Sequence, residues 1–202
     1  MKAMARLFFN RGVRRYVLAV CLAGAGFSVH AQQLGVKTNV LYDALTTMNV
    51  GLEYGVAPRW TVELSGAYNP WTLNKETNKK VRSWGVFPEA RYWFCERFQG
   101  HFLGLHSGYA EYNMGGVKLP LWNKDTKPYR YQGWGTGVGV AYGYSWILGK
   151  RWNLEATLGL GYVFTKYDKY ACPTCGKRLT EGAKHHYLGP TKAGISIIYM
   201  IR

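Results

Sequence analysis

The stretch GWGTGVGVAYGYSW, residues 133–146, alternates without a break. Gly133, Gly135, Gly137, Gly139, Ala141, Gly143 and Ser145 occupy one parity, and Trp134, Thr136, Val138, Val140, Tyr142, Tyr144 and Trp146 the other. A period of two is the signature of a strand, whose successive side chains point to opposite faces. This strand is long, since five or six residues is usual in soluble domains. Trp134 and Trp146 are twelve residues apart, about 40 Å along a strand at ~3.3 Å per residue. A tilt of roughly 40° shortens that to about 30 Å, close to the ~25 Å apolar band of a membrane barrel with its two aromatic girdles.

The same alternation recurs outward along the chain. Its apolar parity holds Leu34, Val36, Thr38 and Val40, then Val50, Leu52, Tyr54 and Val56, then Trp60, Val62, Leu64, Gly66 and Tyr68. Trp84, Val86, Ala90, Tyr92 and Phe94 follow, then Leu103, Leu105 and Tyr109. After the quoted stretch come Trp152 to Phe164 and Ala193 to Ile201. The opposite parity carries Lys37, Glu53, Glu63, Glu89, Arg91, Glu155 and Lys192 among small residues. Alternation does not itself say which face is inside, because a membrane barrel inverts the soluble pattern. Two features favour the inverted reading: the spacing of the aromatics and the connection lengths. Connections 57–59, 95–100 and 148–151 are short; 43–48, 70–80, 114–130 and 167–186 are mostly longer. An outer-membrane barrel has this asymmetry, with short periplasmic turns and long external loops.

The chain has 202 residues, with 16 Tyr, 8 Trp and 25 Gly, a composition that suits β-structure with close backbone approaches. Residues 1–31 read as a cleaved signal peptide: Lys2, Arg6, Arg11, Arg14 and Arg15 precede a short apolar run, and Val29-His30-Ala31 supplies a cleavage site before Gln32. Cys21 follows Val20, a poor fit to a lipoprotein anchor. The remaining chain, 32–202, reads as one domain: an all-β, eight-stranded antiparallel up-and-down transmembrane barrel with a filled lumen. Eight strands leave an interior just wide enough for side chains. The small face of 133–146 then makes room for longer lumen residues on neighbouring strands, or else permits sharp strand coiling. Lys37, Glu53, Glu63, Glu89, Arg91, His106, Glu155 and Lys192 are expected to form a paired lumen network, since buried charges must be compensated.

The segments KTNVLYDALTTMNVGLEYGV (37–56), ELSGAYNPW (63–71), PEARYWFCERFQGHFLGLH (88–106) and LGPTKAGISIIYMIR (188–202) resemble a family of small outer-membrane β-barrels from Bacteroidetes, domain of unknown function 3575. The resemblance implies a barrel over nearly the whole mature chain, and carries over no activity and no functional residue. The family's association with fimbrial or cell-surface loci suggests a surface protein partner.

Cys172-Pro173-Thr174-Cys175-Gly176, in the fourth long loop, is the sharpest local motif. A small-loop disulfide, a zinc knuckle completed by His185 and His186, and two free thiols all remain open. Cys95 belongs to the opposite end, beyond the ~7 Å limit for bridging either of them. His106-Ser107 invites comparison with barrel enzymes that modify lipids, but adjacent strand residues face opposite ways, so no catalytic residue is assigned. Removing the five leader basics lowers the net charge from +15 to +10. Most of the excess falls in the loops: Lys75, Lys79, Lys80 and Arg82 in the second, Lys118, Lys124, Lys127 and Arg130 in the third, and Lys166, Lys169, Lys177, Arg178 and Lys184 in the fourth. Long-range attraction to anions follows. An exported barrel meets lipopolysaccharide phosphates and acidic glycans before nucleic acid; a solvated basic surface with no specific ligand is the equal alternative.

The expectation is therefore a monomeric outer-membrane barrel without a cofactor, in which zinc at the loop cysteines is the only metal alternative. Its role is structural or interactive, through outer-membrane lipid, lipopolysaccharide or a surface assembly. A lipid-modifying barrel enzyme and a soluble periplasmic barrel that carries an apolar ligand are the alternatives.

Overall fold

A computed structural model of the protein describes residues 34–74, 79–116, 128–171 and 176–201. The leader, Lys75, Glu76, Lys118, Lys124, Lys127 and the Cys172–Cys175 motif lie outside these residues. Among the described residues there are nine strands: β1 (Leu34–Asn39), β2 (Met48–Ala57), β3 (Trp60–Asn69), β4 (Thr72–Asn74), β5 (Lys79–Trp93), β6 (Gly100–Gly115), β7 (Arg130–Ile147), β8 (Trp152–Tyr170) and β9 (Arg178–Ile201). Eight of them close an antiparallel ring in chain order. β3 pairs with β5, and β9 returns to β1 with Leu34 opposite Ile201. The short β4 only extends the start of β5. Three short turns and both ends of the described chain lie at one end of the ring, the turn end; the longer connections lie at the other, the loop end.

Two boundaries differ from the sequence reading. Val40 does not continue β1 but opens a five-residue helix, α1 (Val40–Ala44). Asn39 ends the strand because its side chain accepts the Leu41 N–H at 3.1 Å, the preferred cap for a helix start. Asp43 holds the turn by accepting from Thr38 Oγ1 and Asn49 Nδ2, both at 2.8 Å. The fourth long loop is shorter than expected, because β8 runs to Tyr170 and β9 begins at Arg178. Polar and aromatic pairs continue the ladder past the apolar band: Arg130 lies over the Tyr170 ring, and Arg178 pairs with Asp168 and Glu181. His185 and His186 are thus strand residues, opposite Thr165 and Phe164.

The strands turn their apolar parity outward. Val140 is 60% exposed and Leu158 72%, whereas Arg91 and Glu53 are at 0%. One irregularity changes parity. β9 faces Gly159 with Lys192 but Leu160 with Pro190, so a bulge at Thr191 places Thr191 and Lys192 together toward the lumen.

The turn end is plugged by apolar side chains. Phe98, Ile198 and Met200 form a buried cluster. Trp93 packs at a tilt on Phe102, ring centroids 4.7 Å apart, and donates its indole N–H to Thr61 Oγ1 at 2.9 Å. Phe98 sits at φ 66°, which folds the β5–β6 turn back under the barrel. Its carbonyl accepts from Asn153 Nδ2 at 2.7 Å and Ser145 Oγ at 3.2 Å.

Candidate functional site

Above the plug lies a charged layer assembled by strand parity from six strands. Lys37 comes from β1, Glu53 from β2, Glu63 from β3, Glu89 and Arg91 from β5, Glu155 from β8 and Lys192 from β9. Arg91 reaches all four carboxylates: Nη1 lies 2.8 Å from both Glu53 Oε2 and Glu155 Oε2, Nε lies 2.8 Å from Glu89 Oε1, and Nη2 contacts Glu63. Lys37 Nζ reaches Glu63 at 2.9 Å, Glu155 at 3.0 Å and Glu53 at 3.4 Å. Lys192 closes the far side on Glu89, with Glu63 at 3.9 Å. Four carboxylates thus face three cations. Hydroxyls meet the remaining lone pairs, Thr61 donating to Glu53 at 2.6 Å and Thr157 to Glu155 at 3.0 Å.

Of the expected lumen residues, the structure brings seven into this layer and sets His106 just above it. His106 makes no ion pair; its Nε2 lies 2.9 Å from Thr191 Oγ1, and its Nδ1 is buried with no hydrogen-bond partner.

The small face of β7 does make room for neighbouring lumen side chains, but they are not chiefly the charged ones. A Cβ at Gly139 would lie 2.7 Å from His106 Nε2, and one at Gly143 would overlap the Phe102 ring. Gly135 and Gly137 face Thr165 and Val163 at about 3 Å. The charged layer takes its space elsewhere, Lys37 against Gly51 and Glu89 against Gly104.

The expected filled lumen holds only for the turn-end half. A cavity of about 80 Å³ lies among the charged side chains beside Lys37, Glu63 and Lys192. A second, of about 220 Å³, lies beyond His106, and a mouth of about 800 Å³ opens at the loop end. Small residues oppose one another there across β6 and β7, Gly108 against Gly137 and Ala110 against Gly135, with the Phe87 ring packed on Gly108 and Val163 on Gly137.

The outer wall has an order of its own. At the loop end Trp84, Tyr109, Trp134, Phe164 and His186 form a continuous chain of ring contacts at 5.2–6.1 Å. At the turn end Trp60 packs on Tyr92, His101 on Tyr142 and Trp152 on Tyr199. Exposed Leu52, Leu64, Leu105, Val140, Leu160 and Ile195 lie between the two belts. One row of the loop-end belt reads Trp84, Glu111, Trp134, Lys166 and Lys184 across five paired strands. Lys166 and Lys184 are therefore directly opposed like charges on the outer face.

Sequence reasoning missed the plug. Its signal is an apolar residue on the otherwise polar parity: Trp93 within Tyr92–Phe94, Phe102 after His101, and Ile198 and Met200 in the closing run. The site features of the fourth loop divide. His185 and His186 point to opposite faces of β9, His186 bonding outward to the Tyr162 hydroxyl, so the two do not converge on one ion.

The model of a family described as a protein of unknown function (DUF3575) matches residues 17–201. No curated protein and no solved structure matches the chain.

Proposed function

For a chain that belongs to the DUF3575 family, with a closed ring of eight strands, we propose an outer-membrane barrel whose role is structural or interactive. The observation that carries this reading is the outer wall: an aliphatic band held between two aromatic belts, with the charged residues turned inward. Water would penalise that wall, whereas acyl chains accept it. Residues 1–31 serve as the cleaved export signal. The closed turn end faces the periplasm, and the basic loop end, including Lys166 and Lys184, faces lipopolysaccharide phosphates or a surface assembly. The barrel acts as a monomer and contributes to envelope integrity and surface contact, not to diffusion, because its lumen is plugged. Fractionation of native envelopes tests this. The protein is expected in the outer membrane, extracted only by detergent and carrying lipopolysaccharide; recovery in the aqueous periplasmic fraction would overturn it.

One contact favours a second reading, an acyl-transferring barrel. His106 Nε2 lies within hydrogen-bond distance of Thr191 Oγ1 at the edge of an apolar cavity, as a base beside a hydroxyl nucleophile would. Against it, Glu89, the cross-strand neighbour of His106, is bonded to Arg91 and Lys192 and does not orient the imidazole. Ester turnover by the purified barrel that Thr191→Val abolishes would favour this reading over the first.

A further inference from the structure

We propose that the upper edge of β9, from Lys184 to Leu188, docks an extended, acidic segment of a partner polypeptide by strand addition. Among the described residues, β8 pairs with β9 from Arg178 to Tyr199, but β1 leaves it at Asn39, opposite Ser196. The chain turns there into α1, and β2 starts only at Met48, opposite Tyr68. β9 therefore rises above the β1–β2 tip with one edge that no described strand pairs, the kind of edge to which a further strand adds.

The register identifies the groups on that edge. The carbonyl of Ala193, an outward residue, accepts from Asn39 Nδ2 at 3.3 Å, so outward residues of β9 aim their backbone groups toward the β1 side and inward ones toward β8. Above the bulge the outward residues are Pro190, Leu188, His186 and Lys184. Pro190 has no N–H to offer a strand, and Gly182 leaves strand geometry at φ 61° with its N–H donated to Asp168; these two bound the docking window. Leu188 is 82% exposed, so α1 leaves its side chain bare.

The chemistry of the window sets the partner. Only another extended backbone meets alternating N–H and C=O groups at this spacing. Lys184 already opposes Lys166 on its β8 side. An Asp or Glu on the incoming strand offsets that repulsion, with an aromatic residue beside His186 and an aliphatic one beside Leu188. A second copy in the same membrane does not fit, because two edges tilted by roughly 40° would cross at about 80°. The docking rests on the outer-membrane reading above, which sets Leu188 at the acyl level, where bare backbone groups are costly.

The test uses the full chain folded in bicelles, its backbone amides followed by NMR. It is titrated with the synthetic peptide Thr-Val-Thr-Tyr-Thr-Asp-Thr, which runs antiparallel to β9 with its Asp at Lys184, and with the same peptide carrying Lys for Asp. The amides of Lys184, His186 and Leu188 should shift saturably and exchange more slowly with solvent, while that of Ile197, already opposite β1, stays unchanged. The acidic peptide should bind roughly two- to tenfold more tightly than the basic one, and Lys184→Glu should reverse that order. Leu188→Pro removes an N–H from the free edge and none from the β8 ladder; in a chain whose heat-dependent gel mobility shows it folded, it should weaken both peptides at least roughly twofold. No saturable shift at these amides, equal affinity for the two peptides, or an order that Lys184→Glu leaves unchanged would overturn the docking while the outer-membrane reading stands. Recovery of the protein in the aqueous periplasmic fraction would overturn that reading, whatever the peptides do.

Discussion

Replacing Arg91 with Met removes the cation that touches Glu53, Glu63, Glu89 and Glu155 together. Lys37 still reaches three of these carboxylates and Lys192 two, so four negative charges would face two positive ones at nearly complete burial. Removing one partner of a buried ion pair costs about 3–5 kcal/mol, because the remaining charge is uncompensated. Methionine keeps most of the side-chain volume, so a cavity adds little. The variant should therefore lose about 3–5 kcal/mol in denaturant unfolding followed by tryptophan fluorescence in micelles, and its heat-dependent gel shift should move to lower temperature. Adding Glu155→Gln removes a carboxylate whose ionic partners were Arg91 and Lys37, and should restore about 1–3 kcal/mol, a normal coupling for contacting groups. Arg82→Met, at the exposed rim, should change stability by less than about 0.5 kcal/mol. If Arg91→Met unfolds within about 1 kcal/mol of the unmodified chain, or Glu155→Gln worsens it additively, the charged layer is not a compensated unit and the reasoning fails.

Gly139→Ala presses a methyl group against the His106 ring and the Leu160 carbonyl, and should cost about 1–3 kcal/mol; Gly66→Ala, whose nearest neighbour is a carbonyl oxygen at 3.8 Å, should be neutral or gain up to about 1 kcal/mol in the same unfolding assay. With Cys172 and Cys175 both changed to Ser, the barrel should still assemble, and the exposed Cys95 should react with an impermeant maleimide only after the outer membrane is opened; labelling of intact cells would reverse the proposed orientation. Lys184→Glu turns an opposed like-charge pair into an opposite one. It should stabilise the barrel by about 0.2–1 kcal/mol in neutral detergent yet reduce the lipopolysaccharide that co-purifies, and retention of the full amount would argue against phosphate contact at this row.

The ring itself was legible because alternation is a backbone property that every strand repeats, and the spacing of Trp134 and Trp146 carried its scale. The charged residues stood out for the same reason: Glu53, Glu89, Arg91 and Glu155 share a parity with glycines and not with aliphatics. What escaped depended on features without a period. Asn39 and Asp43 reroute the chain by side-chain hydrogen bonds over a few residues, where a β-branched Val40 suggests continued strand. The plug reads as more apolar sequence, because Trp93 and Ile198 sit beside apolar residues of the other parity. The small-residue wall of the loop-end half escaped because Gly108 and Gly137 come together only through the β6–β7 register, which no local pattern announces.

The bulge at Thr191 makes β9 a strand of two phases. Toward the loop end, odd-numbered residues look inward and His186 and Leu188 look out; toward the turn end, Lys192, Ser196 and Ile198 look inward. Deleting Thr191 would remove the bulge and join the two phases with Pro190 still outward and Lys192 still inward. Deleting Gly189 with the bulge kept would instead turn the upper half of the strand over, carrying Leu188 into the lumen and Tyr187 and His185 to the outer wall. A one-residue change above the bulge therefore carries the consequence of many substitutions, whereas loss of the bulge residue itself does not.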